Sequence, residues 1–245
     1  MEKGTVSKAA VWNRLWSSGE DQSSFAMCLL APLRELEGKR VLEVGCGSLK
    51  NNQVPSYARR YIGIDVSNVA LRKSKEENEY RIEEPEKAEL ALADAVRLPF
   101  RDQAFDAAIT ANVLLFTGRD AFIAMREMAR VTATNGIIFM VLVHQDIAKA
   151  VKADCKRIEN GTIYSESDGV EKICFAEDDV RAIMKGLSVE VTDLAALSNY
   201  DQMRMTASQM DMLPPPGDLD LVKDLIILRG LVRRAEPAPA IIASP

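Results

Sequence analysis

Histidine is nearly missing from this chain, and the absences narrow its chemistry before any motif is considered. One histidine, His144, stands in 245 residues, which excludes a histidine-rich metal centre or a scheme built on several imidazoles. The four cysteines, Cys28, Cys46, Cys155 and Cys174, lack the paired spacing of a zinc site and any secretory context. No metal is expected, and a reducing, cytoplasmic setting is. Runs of Lys and Arg are also missing. With a net charge of -5 spread along the chain, nothing is basic enough to track a phosphate backbone, so nucleic acid is not expected as a partner. No apolar stretch approaches a membrane span, and Met1-Glu-Lys-Gly4 lacks the charged-then-apolar form of a signal peptide.

What is present is enough apolar material, 47% of residues, for one substantial core. The densest information lies in Arg40-Val-Leu-Glu-Val-Gly-Cys-Gly-Ser48 followed by Tyr61-Ile-Gly-Ile-Asp-Val-Ser67. The order is strand, glycine turn, helix, strand, acid. Gly45 and Gly47 allow a tight turn against a ligand where side chains would collide. Asp65 ends the second strand, 20 residues after Gly45. In a doubly wound sheet that acid lies beside the glycine turn and can accept hydrogen bonds from both hydroxyls of a ribose.

A dinucleotide fingerprint needs a third glycine, and this chain has Leu49 or Lys50 there. S-adenosylmethionine suits the residues better. It keeps the ribose and replaces the phosphates with a methionine tail, for whose ammonium Glu43 supplies an anion. The next segment agrees, with a short apolar strand ending at Asp94, then Leu98-Pro-Phe100, a polar turn, and Phe105-Asp106 opening another strand. On these motifs, from about Val41 to Val143, the chain resembles the class I S-adenosylmethionine-dependent methyltransferases, in particular their quinone-biosynthesis and other small-molecule branch. The resemblance implies a Rossmann-like α/β fold with a doubly wound, seven-stranded, mostly parallel sheet. It implies that Glu43, Gly45, Cys46 and Gly47 hold the methionine end, that Asp65 takes the ribose hydroxyls, and that Val66 lies against the adenine. It also implies that Asp94 and Ala95 meet the adenine amino edge and that Ala111 lies near the sulfonium. Two departures stand out. The third glycine is absent, and Asn112-Val-Leu-Leu-Phe116 replaces the polar or histidine pair of many relatives.

Along the chain, residues 7–37 read as two helices that cap the cofactor, because Ala9, Ala10, Leu15 and Trp16 and then Phe25, Leu29, Leu30 and Leu33 recur at helical spacing. Strands are expected at 40–45, 60–65, 89–93, 106–111 and 136–143, with a short helix near Pro55 and helices at 68–79 and 119–131. This alternation predicts helices on both faces of a mostly parallel sheet. Residues 146–175, with turn signals at Asn160-Gly161 and Asp168-Gly169, read as an insertion over the site. A helix over 177–185 precedes strands at 188–194 and 225–232. The methionine-rich segment 195–222 between them reads as a lid or an oligomer contact, so a homodimer is an open possibility. The domain plan is thus a cap at 1–38, the main domain at 39–234 and a disordered tail at 235–245.

His144 follows the fifth strand on the edge where open α/β sheets bind ligands. It is the candidate general base for an acceptor hydroxyl or amine, with a strand-end histidine bonded to its neighbours as the alternative. Trp12 and Trp16, one helical turn apart, either close over the ligand or pack in the core. Asp106 reads as structural. The expected activity is methyl transfer to a small-molecule acceptor. A protein or RNA methyltransferase and a non-catalytic cofactor-binding subunit are the alternatives.

Overall fold

The computed structural model describes residues 7–18, 33–49, 54–78, 88–150, 154–165, 170–198 and 223–234. Its centre is a seven-stranded sheet in the order β3-β2-β1-β4-β5-β10-β9. The strands are β1 (Arg40–Val44), β2 (Arg60–Asp65), β3 (Ala88–Leu92), β4 (Phe105–Ala111), β5 (Thr132–Val143), β9 (Val189–Ser198) and β10 (Lys223–Val232). The first five pair in parallel. β10 runs antiparallel to both β5 and β9.

The central strands are apolar on both faces, as a sheet covered on two sides requires. On β5, Ile138, Met140 and Leu142 join one core cluster while Ile137, Phe139, Val141 and Val143 join the other, which is the two-residue period of a strand made visible. The first cluster takes α4 (Ala121–Val131) and α6 (Glu177–Gly186) through Met125, Met128, Val180, Ile183 and Met184. The second takes α2 (Val54–Tyr57), α3 (Asn68–Asn78) and α5 (Asp146–Ala150) through Val54, Leu71 and Ala148. After β1 the chain steps to β2 and β3 on one side and then crosses to β4 on the other. That reversal opens a crevice beyond the carboxyl ends of β1 and β4.

Two segments differ from the expectations drawn from sequence. Of the two helices expected over 7–37, the first is α1 (Lys8–Ser17), whereas Leu33–Leu36 forms one 3-10 turn and 19–32 lies outside the described residues. The expected insertion at 146–175 contains α5 and a separate antiparallel sheet of β6 (Asp154–Ile158), β7 (Gly161–Ser165) and β8 (Glu171–Cys174). The turn at Asn160, with φ of 56°, joins β6 to β7 as its Asn-Gly signal predicts. Of the segment 195–222 that carried the lid and dimer expectations, residues 195–198 continue β9; 199–222, Asp168-Gly169 and the tail from 235 lie outside the described residues. Where the first sheet meets the second, the Phe175 N–H donates to the Val143 carbonyl at 3.0 Å and the Gln145 N–H to the Phe175 carbonyl at 2.8 Å.

Candidate active site

β1 ends inside the core and delivers the chain to a turn that few residues can make. Gly45 and Gly47 have φ of 74° and 55°, in the left-handed region that glycine enters without strain. The N–H groups of Gly45 and Cys46 both donate to the Ile64 carbonyl, at 2.8 and 2.9 Å, which ties the turn to β2. The turn is closely covered. A Cβ on Gly45 would lie 2.1 Å from a Val113 methyl, and one on Gly47 would lie 3.0 Å from the Trp16 ring. Leu49, where a dinucleotide site needs its third glycine, also has a positive φ of 56° and is buried. The buried Thr110 hydroxyl donates to the Val44 carbonyl at 2.9 Å, fixing the end of β1 from the β4 side.

Two carboxylates flank this turn. Glu43 is only 3% exposed, and the Tyr61 hydroxyl donates to its Oε2 at 2.5 Å. Asp65 accepts from the Gly47 N–H at 3.0 Å on Oδ2 and from the Ser67 N–H at 2.8 Å on Oδ1. Burial pushes the Asp65 carboxyl above its usual range, while the N–H groups of Ser67, Gly47 and Val66 pull it back. The Cys46 thiol is pushed well up by burial, reinforced by the charges of Glu43 and Asp65, so it is no nucleophile. The Ala93 N–H donates to the Asp65 carbonyl at 3.0 Å, which draws the end of β3 alongside. There Asp94 accepts from the Val96 N–H at 3.1 Å, and Ala95 is buried. Ala111, also buried, ends β4 two residues before Val113, the side chain that lies on Gly45. The strand ends therefore gather Glu43, Gly45, Cys46, Gly47, Asp65 and Val66, with Asp94, Ala95 and Ala111 on the neighbouring ends.

α1 crosses this edge as a strut. Its Asn13 Oδ1 accepts from the Ser67 hydroxyl at 2.8 Å, and the Ser67 oxygen in turn accepts from the Ala70 N–H at 3.2 Å, capping α3. Lys73 donates to the Trp16 carbonyl at 2.6 Å. Toward the other end, Trp12 meets Phe116 edge to face at 4.9 Å and Lys8 pairs with Asp120 at 2.6 Å. Both tryptophans thus pack on elements that border the crevice. Asn13, Ser67 and Tyr61 were not singled out from sequence. Only Ser67 carried a signal, as a helix-capping residue ahead of α3.

His144, expected as the general base, lies buried between β5 and α6. The ring is 4% exposed. Its Nδ1 accepts from the Asp146 N–H at 3.2 Å, and its Nε2 lies 3.1 Å from Glu177 Oε2. An Nδ1 that accepts must have its proton on Nε2, which then donates to Glu177. Neither nitrogen offers an open lone pair, and the imidazole acts as a tie between β5 and α6. Among the described residues, no group of three or more His, Cys, Asp or Glu side chains could hold a metal ion.

A seven-stranded sheet with antiparallel last strands, a glycine turn after β1 and acids ending the next strands together define a Rossmann-like methyltransferase fold. Residues 42–140 match the family model described as a methyltransferase domain, and over that stretch the chain carries an S-adenosylmethionine-dependent methyltransferase domain. S-adenosylmethionine is its cofactor. The donor set at the strand ends suits that molecule, with Glu43 for an ammonium and Asp65 for a diol. Among solved structures, the chain is similar to a putative methyltransferase of Haloferax volcanii in complex with the Trm112 methyltransferase activator (14% identity, 93% of this chain and 96% of that one, TM-score 0.62). It is also similar to the N-methyltransferase NodS of Bradyrhizobium japonicum WM9 in complex with S-adenosyl-L-homocysteine (13%, 87% and 90%, 0.59). A third similar structure is the [4+2]-cyclase SpnF (21%, 91% and 82%, 0.57). At these identities the likeness is one of fold. No curated protein matches the sequence significantly. No helix among the described residues is long and apolar enough to cross a membrane.

Proposed function

We propose that the domain transfers the sulfonium methyl of S-adenosylmethionine to a small-molecule acceptor by in-line displacement. The observation that carries this reading is the strut formed by α1. Trp12 against Phe116 and Trp16 against Gly47 bring two aromatic rings from α1 onto elements that border the crevice, apolar cover suited to a compact acceptor. The acidic chain, without a basic run, supports the same reading. So does the likeness to NodS, which is named an N-methyltransferase.

The cofactor supplies an already activated methyl group. This chain's residues position it and keep water out, which is where most of the acceleration of such a reaction originates. Glu43 holds the ammonium of the methionine end beside the backbone of Gly45, Cys46 and Gly47. Asp65 holds the ribose hydroxyls, with Val66 on the adenine face and Asp94 and Ala95 at its amino edge. Ala111 borders the reacting centre. His144 enters as a scaffold residue, so the acceptor's proton leaves to solvent or to a group the acceptor itself brings.

The test is incubation of the protein with methyl-labelled S-adenosylmethionine and a cell extract separated into metabolites, protein and RNA. Label in the metabolite fraction, lost in an Asp65→Ala variant, is the expected result. Label confined to protein or RNA would overturn the small-molecule assignment. Cofactor binding without transfer to any fraction would favour a binding subunit.

A further inference from the structure

We infer that Tyr61 is a positioning residue for the amino-acid end of the cofactor, acting through Glu43. The inference rests on the reading of Glu43 as the anion that faces the cofactor's ammonium. Tyr61 lies on β2 with no exposed surface, opposite Val41 in the parallel register, while Glu43 lies opposite Gly63. Glu43 and the Tyr61 ring therefore share one face of the sheet, two positions apart. Gly63, opposite Glu43, is itself closely packed. A Cβ there would sit 2.9 Å from the Cys46 sulfur and 3.0 Å from a Leu90 methyl.

A glutamate has three side-chain torsions, and burying its charge is costly unless hydrogen bonds hold it. The Tyr61 hydroxyl, on a ring locked in the core, donates to Oε2 at 2.5 Å. Bonds of this charge-assisted kind are the strong ones. The phenol thus fixes the carboxylate at the mouth of the glycine turn in one orientation. Thr110, holding the Val44 carbonyl at 2.9 Å, fixes the adjoining backbone. Phenylalanine at position 61 keeps the ring and its packing and removes only the donor.

The test compares two ligands. S-adenosylhomocysteine carries the amino-acid tail, and methylthioadenosine has the same adenosine and thioether without it. Glu43→Gln is expected to weaken the first and spare the second, which checks the underlying reading separately. Tyr61→Phe is expected to weaken S-adenosylhomocysteine by about tenfold, the worth of one hydrogen bond to a charged group, with methylthioadenosine unchanged. In the Glu43→Gln background, Tyr61→Phe is expected to have little further effect on the ratio of the two affinities. Equal weakening of both ligands, no effect on either, or loss of the fold by circular dichroism would assign Tyr61 to stability alone and overturn the inference. If Glu43→Gln leaves S-adenosylhomocysteine binding intact, the reading of Glu43 fails first and the role of Tyr61 falls with it.

Discussion

Gly45 and Gly38 have nearly the same backbone torsion, with φ of 74° and 70°, yet only one has a neighbour. A Cβ on Gly45 would penetrate Val113 at 2.1 Å, whereas one on Gly38 would meet nothing within 4 Å. The pair separates backbone strain from steric exclusion. Gly38→Ala is expected to cost about 1 kcal/mol, the left-handed penalty alone. Gly45→Ala is expected to cost about 3 kcal/mol because overpacking is added, and it would weaken S-adenosylhomocysteine binding as well. Urea midpoints of the two variants check this. The glycine pair of the turn was legible in sequence as a tight bend. Its cause was only partly so, because Val113 and Trp16, which press on it, are distant in the chain. His144 shows the opposite case. Its place at the end of β5 was readable, but Glu177, the acid that occupies its Nε2, lies 33 residues on and carries no local signal.

Among the elements, α1 bears most on the site. Its helical period was plain from Ala9, Ala10, Leu15 and Trp16. Its docking was not, since it depends on polar partners such as Asn13 with Ser67 and Lys73 with the Trp16 carbonyl. Asn13→Ala is expected to remove about 1 kcal/mol of docking energy. Trp16→Ala would uncover Gly47. Both variants should speed amide hydrogen exchange across residues 8–17 and weaken S-adenosylhomocysteine binding, while protection of β1, β4 and β5 stays as in the parent protein. Equal loss of protection throughout the sheet would show instead that α1 is part of the global folding unit. The small sheet of β6, β7 and β8 escaped the sequence for a physical reason. β6 is exposed along nearly its whole length, so the alternation that marks a half-buried strand is missing. Only its Asn-Gly turn could be seen.

For the molecule as a whole, the parallel core was legible because alternating strands and helices with two-sided apolar strands admit few arrangements. The charge ties that close its far edge were not. Arg40 at the start of β1 grips Asp106 at the start of β4 through its backbone N–H, Nε and a terminal nitrogen, at 2.9, 3.1 and 2.7 Å. That hydrogen bonding holds the Asp106 carboxyl below its ordinary value of 3.8. A lowered folded value means that the stabilisation is complete above 3.8 and is lost as pH falls through the folded value. Asp106→Asn is therefore expected to cost about 0.5–1 kcal/mol at neutral pH, modest because both side chains are about one-third exposed. The gap between parent and variant should narrow as pH falls from 3.8 through the lowered folded value, as read from urea midpoints across the acid range. A gap that persists there would assign the loss to packing.

The last described strand enters between β5 and β9 and pairs with both. During synthesis, the facing edges of β5 and β9 therefore await residues 223–232, so a nascent chain has two open strand borders until those residues have left the ribosome. Such a chain is exposed to aggregation during that interval, and the sheet that supports the cofactor crevice is completed only when residues 223–232 join it.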